Sequence, residues 1–196
     1  MIIVPYFEHG NIVQAGICEE SKLITAFGQI LYSLAFLHRR GITHRDIKPD
    51  NVLVELTPQF KVVLSDFGLS KAVTETTWLE TFCGTLKYLA PEVFPCSPQR
   101  YGPPANVWSL GVMALEWLYY QWRDWSQAWV DMLTTQLDDQ EEGADVDLLQ
   151  GMLVADQQKR TSAYGCLEKG FRNGLFRRRT VDGLVERAQA LPEESN

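Results

Sequence analysis

The chain has 196 residues, 45% of them hydrophobic and 22% charged, which is the balance of a globular domain with a core of ordinary size, and one main domain is expected. Its formal net charge of -7 argues against nonspecific nucleic-acid binding, which needs Lys and Arg to neutralise phosphates. No run reaches about 18 apolar residues, and Met1-Ile2-Ile3-Val4 is cut by Pro5 without a basic stretch before it, so neither a membrane span nor a secretory signal is expected.

Cys18, Cys83, Cys96 and Cys166 contain no Cys-x-x-Cys pair, which fits structural thiols in a reducing compartment and an intracellular protein, cytoplasmic or nuclear. The acidic run Asp138-Asp139-Gln140-Glu141-Glu142 and the basic run Arg177-Arg178-Arg179 read as solvated faces or loops.

In chain order, Ser21 to Arg40 reads as a helix, because Leu23, Phe27, Ile30, Leu31, Leu34 and Leu37 recur at three- and four-residue spacing on one face. Ser21 is the expected N-cap and Gly41 the stop. Val52-Leu53-Val54 and Lys61-Val62-Val63-Leu64, separated by Thr57-Pro58-Gln59, read as a small hairpin. From Ala105 to about Tyr120 the chain is apolar nearly all round, as in a helix buried at a domain centre. Helical periods continue near residues 125–136, 144–154 and 161–169. After Phe171 a short helix and a frayed tail are expected.

The run His44-Arg45-Asp46-Ile47-Lys48-Pro49-Asp50-Asn51, followed by Asp66-Phe67-Gly68, carries the chemistry. Phosphoryl transfer asks a protein for positioning and charge stabilisation: a carboxylate near the attacking hydroxyl, cations near the transferring group and oxygen ligands for magnesium. Asp46 can accept the hydroxyl hydrogen. Lys48, two residues on, points the same way in an extended loop and can neutralise the γ-phosphate. Asn51 offers an oxygen to a metal ion that Asp66 also holds. Taken singly, each residue could belong to a turn rich in Pro, Asp and Asn; nothing about a turn requires all of them together.

On these motifs the chain resembles the C-terminal lobe of a eukaryotic protein kinase, over roughly residues 1 to 171. Gly84-Thr85-Leu86-Lys87-Tyr88-Leu89-Ala90-Pro91-Glu92, Val107-Trp108-Ser109-Leu110-Gly111-Val112 and the late Arg160 belong to the same pattern. The resemblance implies a mainly α (α+β) fold, a helical bundle with a small β-hairpin that lacks most of the N-terminal β-lobe. Residues 1–10 would be the end of a fifth strand and a hinge, 11–171 the C-lobe, and 172–196 a partly disordered extension.

It further implies ATP and Mg2+ as cofactors and protein substrates, with Lys48 and Thr85 matching the serine/threonine-specific pattern. At the hinge, Val4 would be the gatekeeper, and the Pro5 carbonyl and Phe7 amide would face adenine. Leu53 would lie under the adenine ring and Asn11 could reach the ribose, although Asn11 beside Gly10 also suits a helix cap. Glu92 and Arg160 would form a buried ion pair tying down the activation segment. Arg45 would pair with a phosphate there, with Thr81 the phosphorylation candidate and Thr85 a hydroxyl on the substrate side. Asp50 and Glu116 match positions that bind a substrate arginine in basophilic relatives.

The departures are equally specific. Asn106 stands where the family has an aspartate that accepts hydrogen bonds from the catalytic-loop backbone, and a neutral amide should leave that loop looser. Leu86 replaces a frequent proline. No Gly-x-Gly-x-x-Gly and no Val-Ala-x-Lys occur in the 196 residues, so nothing in them matches the parts that grip a nucleotide from above. The expected function is a truncated protein serine/threonine kinase; the alternative is a non-catalytic kinase-like binding or scaffold module. Phe67, Leu53, Tyr6 and Phe7 would leave an apolar cleft for a partner or for self-association.

Overall fold

A computed structural model describes residues 5–67, 86–93, 102–119 and 143–188. Val4, Thr81, Thr85, the helical period near 125–136, the acidic run at 138–142 and the tail beyond 188 lie outside the described residues. The elements run α1 (Glu20–His38), β1 (Val52–Glu55), β2 (Lys61–Leu64), α2 (Pro103–Tyr119), α3 (Ala144–Met152), α4 (Ala163–Arg172), β3 (Phe176–Arg178) and β4 (Val185–Arg187). Short 3-10 turns occupy Pro49–Asn51, Leu86–Tyr88 and Pro91–Val93. Among the described residues, no helix is long and apolar enough to cross a membrane.

Two helices form the centre. α2 buries every residue from Ala105 to Leu115, as its all-round apolar pattern requires. α1 packs against α2, α4, β2 and β4, and it is buried without a break from Leu23 to Leu31. The amphipathic pattern predicts one buried face; the structure covers Thr25, Gly28 and Gln29 as well.

Two local expectations are corrected. The N-cap of α1 is Glu19, not Ser21; the Ser21 hydroxyl sits inside the first turn and hydrogen-bonds the Glu19 carboxylate. At the other end Gly41, at φ +69, closes the helix as expected: its N–H donates to His38 O and that of Ile42 to Leu37 O, both at 3.0 Å.

The second correction explains why α1 is covered all round. The chain beyond α4 is not a short helix but an antiparallel hairpin, with Phe176 opposite Arg187 and Arg178 opposite Val185, laid on the side of α1 that the sequence presents as polar. Gln29 clips both hairpins to this helix, since its Oε1 accepts from the Val62 N–H at 2.8 Å and its Nε2 donates to Val185 O at 3.1 Å. Glycine makes the close approach possible: a Cβ on Gly170 would lie 2.3 Å from the Phe176 ring and one on Gly28 2.7 Å from Val185. The Phe176 ring sits edge-on to Phe27 and Phe171, at 5.8 and 6.3 Å.

The basic run lies on this hairpin with Arg177 and Arg178 exposed, the solvated face expected, and each arginine also has a local partner. Arg177 pairs with Glu186 across the strands at 2.8 Å, Arg178 lies over the Tyr32 and Phe171 rings, and Arg179 holds Asp182 and donates to Phe60 O.

Candidate active site

The β1–β2 hairpin brings the two halves of the motif together. β1 pairs with β2 from Val52–Leu64 to Glu55–Lys61, so residues just before β1 and just after β2 meet at the open end. There the Ser65 N–H and hydroxyl both donate to Asn51 O, at 2.9 and 3.2 Å. On the outer side of β1, Ile12 N–H donates to Val52 O and Val54 N–H to Gly10 O, which ties residues 10–12 alongside Leu53.

Asp46 and Asn51 are 5% and 6% exposed. The Asn51 amide Nδ2 donates to both Asp46 O and Asp46 Oδ2 at 2.8 Å, because the 3-10 turn folds Asn51 back over the loop. Lys48 Nζ meets the same Oδ2 at 2.8 Å, so carboxylate, ammonium and amide form one cluster. The amide nitrogen is committed to Asp46, and the oxygen is the atom Asn51 can give to a cation.

His44 joins the loop to the segment bearing Asp66. Its Nε2–H donates to Ser65 O at 2.8 Å, and its Nδ1 accepts from the Asp46 N–H at 3.3 Å, roles that only the neutral ring can fill together. Burial lowers its pKa, against the charges of Asp46 and Asp66, which raise it. The Phe67 ring stands 4.7 Å from that of His44, and Asp66 is exposed, at φ +58. A left-handed backbone at a non-glycine residue costs about 1–3 kcal/mol and persists where the surroundings impose it.

Arg45 is held the same way, at φ +74. Its N–H donates to Asn106 Oδ1 at 3.1 Å, so the amide keeps the bond expected of an aspartate. Asn106 also does what a carboxylate cannot: its Nδ2 donates to His38 Nε2 at 3.1 Å. Burial pushes the His38 pKa down to about 4, and the neutral ring is therefore the acceptor. The loop is thereby latched to α1 as well as α2. The signal for this was one histidine in the last turn of a helix, which reads as a helix-end cation without the partner in view.

Glu92 and Arg160 meet in a bidentate pair, Nη1–Oε1 at 2.6 Å and Nη2–Oε2 at 2.8 Å. The guanidinium also donates to Val154 O and Pro104 O and lies over the Trp108 ring, so this buried pair has partners on every side. Of the hinge candidates, Pro5 is exposed and Phe7 half-buried. Asn11 Oδ1 accepts from the Val13 and Gln14 N–H groups, a local cap of the turn that follows. Glu116 is held by Lys87 and Tyr88, and Asp50 is exposed beside them.

A family model described as "Protein kinase domain" matches residues 1–171. The chain is 41% identical over 119 residues to serine/threonine-protein kinase cds1 of Schizosaccharomyces pombe, covering 56% of this chain and 25% of that protein. It is 41% identical over 105 residues to calcium/calmodulin-dependent protein kinase type IV of Homo sapiens, covering 53% and 22%. The matched stretches thus span about a quarter or less of these curated relatives. Among solved structures, Rad53 1-466 in complex with AMP-PNP is similar at a TM-score of 0.61 and 27% identity, over 85% of this chain and 45% of that one. The Rad53 kinase domain and SCD2 in complex with AMPPNP shares the fold at a TM-score of 0.62 and 24% identity, over 84% and 65%. The family match runs through the clustered Asp46, Lys48 and Asn51 and on past Arg160, and on that extent the chain belongs to the protein kinase domain family.

Proposed function

We propose that this chain is the substrate-side lobe of a protein serine/threonine kinase, which transfers the γ-phosphate of ATP to serine and threonine hydroxyls of protein substrates. The observation that carries the reading is the cluster on one buried turn: Asp46 Oδ2 held at 2.8 Å by both Lys48 and Asn51.

The residues divide the work by charge. Asp46 orients the substrate hydroxyl and takes its proton as the oxygen bonds to the γ-phosphorus and the bond to the ADP oxygen breaks. Lys48, within reach of the same carboxylate, neutralises charge on the phosphoryl oxygens. The Asn51 oxygen and the Asp66 carboxylate are hard oxygen donors of the kind Mg2+ takes, and two of them suffice for an ion that keeps water and phosphate ligands. Bound Mg2+ and ATP supply the transferable phosphoryl group and the charge that offsets its own. His44 fixes the distance between the two acidic positions, since one neutral ring bonds the backbone at Asp46 and at Ser65. Val4, Pro5, Phe7, Leu53 and Asn11 are proposed for the nucleotide, and Arg45, Thr81 and Thr85 for the activation segment.

The test is phosphoryl transfer from labelled ATP to mixed Ser/Thr peptides, measured for the 196-residue chain and for the same chain joined behind a nucleotide-gripping β-lobe. The joined protein should transfer phosphate, and Asp46→Asn should reduce the rate by about 10²–10⁴-fold. A joined protein that binds ATP yet transfers no faster than its Asp46→Asn variant would refute the enzyme and leave the binding module.

A further inference from the structure

A groove of about 610 Å3 runs between the segment Ile12–Cys18 and the end of α2, beside the catalytic turn. Its polar wall is Asp50, Lys87 and Glu116, and Val13, Ile17 and Trp117 supply apolar surface. Two acidic side chains beside a phosphoryl-transfer site would ordinarily invite a basic peptide side chain, because guanidinium binds carboxylate through two parallel charge-assisted hydrogen bonds.

The geometry at Glu116 removes that opportunity. Lys87 Nζ contacts Oε1 at 2.7 Å and Oε2 at 2.9 Å, straddling the edge that a guanidinium would need. The Tyr88 hydroxyl donates to Oε2 at 2.8 Å, and burial together with the Glu116 charge raises its pKa, so it remains a donor at neutral pH. The ammonium also lies 4.7 Å from the Tyr88 ring centroid. Both side chains of the pair are largely sheltered, at 26% and 21% exposure, and so are screened less than an open surface pair. An entering arginine would place a second cation against a carboxylate whose two oxygens Lys87 and Tyr88 already hold.

We propose that Lys87 is a specificity-determining residue that closes the Glu116 subsite to arginine, so that the groove takes an uncharged, apolar side chain of the substrate peptide against Val13, Ile17 and Trp117. Because a peptide substrate is assumed, the proposal rests on the kinase reading above. It reverses the basic preference that Asp50 and Glu116 suggest as isolated acids.

Fluorescence anisotropy on the 196-residue chain tests it, with labelled serine-containing nonapeptides in which Arg, Leu or Glu is stepped through the positions before the serine. The wild-type chain should bind the Leu peptides at least as tightly as the Arg peptides at every position. Lys87→Met frees Glu116 and should tighten the Arg peptide about tenfold at one position, the change expected from one charge-assisted hydrogen bond gained. Glu116→Gln, which leaves Lys87 as the cation of the groove, should instead tighten the Glu peptide at that same position; this variant carries the test if Lys87→Met does not fold. A wild-type preference for Arg of about tenfold or more, an unchanged ranking in both variants, or no peptide binding to any of the three proteins overturns the proposal. Phosphoryl transfer is not read here, so a ranking that follows Lys87, found beside a joined β-lobe protein that binds ATP yet transfers no phosphate, refutes the kinase reading alone.

Discussion

Replacing Asn106 by leucine should unlatch the loop that carries Arg45 and Asp46, and the cost can be worked from two hydrogen bonds. Asn106 is completely buried; its Oδ1 satisfies the Arg45 N–H and its Nδ2 satisfies His38 Nε2, each at 3.1 Å. Leucine fills similar volume but serves neither group. An unsatisfied buried polar group costs about 1–3 kcal/mol, so the two together cost about 2–6 kcal/mol, toward the lower end because water can reach a half-buried imidazole. The Arg45 backbone, at φ +74, then loses the bond that holds it in a left-handed conformation. Urea unfolding checks this: the midpoint should fall with the slope unchanged. Asn106→Asp gives an independent reading, since a carboxylate there keeps the Arg45 bond while drawing a proton onto His38. NMR titration should find His38 titrating at about 4 in the wild type and above its ordinary value of about 6.5 in the variant. Asn106→Leu within about 0.5 kcal/mol of wild type, or a wild-type His38 that titrates near its ordinary value, would refute the latch.

The remaining predictions concern pH, the hairpin and the buried ion pair. His38 and His44 both have pKa values lowered by burial, so the unfolded chain binds more protons as the pH drops. Stability should therefore be level above about pH 7 and fall between about 6.5 and 4, with His38 contributing about 1–2 kcal/mol after allowance for solvent around a half-buried ring; a denaturation midpoint that is flat across this window would contradict it. Phe176→Ala should cost about 3–5 kcal/mol by urea unfolding, because the ring is 2% exposed; a loss below about 1 kcal/mol would mean that the β3–β4 hairpin is not docked on α1 in solution. Gly170→Ala should push Phe176 away and speed amide exchange at the Arg178–Val185 pairing, and unchanged exchange would show that the contact is looser than it looks. Arg160→Met should cost about 3–5 kcal/mol by leaving the Glu92 carboxylate without its partner, and pairing it with Glu92→Gln should recover part of that loss; an additive double variant would remove the ion pair from the account.

The elements legible in the sequence are those specified by neighbours along the chain. β1 and β2 are short β-branched runs around a Pro-containing connection, α2 is apolar at nearly every position, and the close of α1 is a glycine in the left-handed region; each needs only a few consecutive residues to declare itself. The clustering of Asp46, Lys48 and Asn51 was legible for the same reason: they lie on one turn, and a run of six residues brings them together. Contacts between distant positions were decided by the tertiary structure. Nothing local marks Phe176–Arg178 as a strand, because a three-residue stretch dominated by arginine carries no readable alternation, and its pairing is set by glycines at 28 and 170 that admit Phe176 and Val185. Gln29 and Thr25 look like the solvent side of a helix until that hairpin covers them. His38 finds Asn106 across 68 positions, and Lys87 finds Glu116 across 29. In both cases a side chain whose type suggests a lone charge or a lone acid is redefined by the group that folding places against it, and hydrogen-bond partners that far apart in sequence leave no periodicity by which to be read.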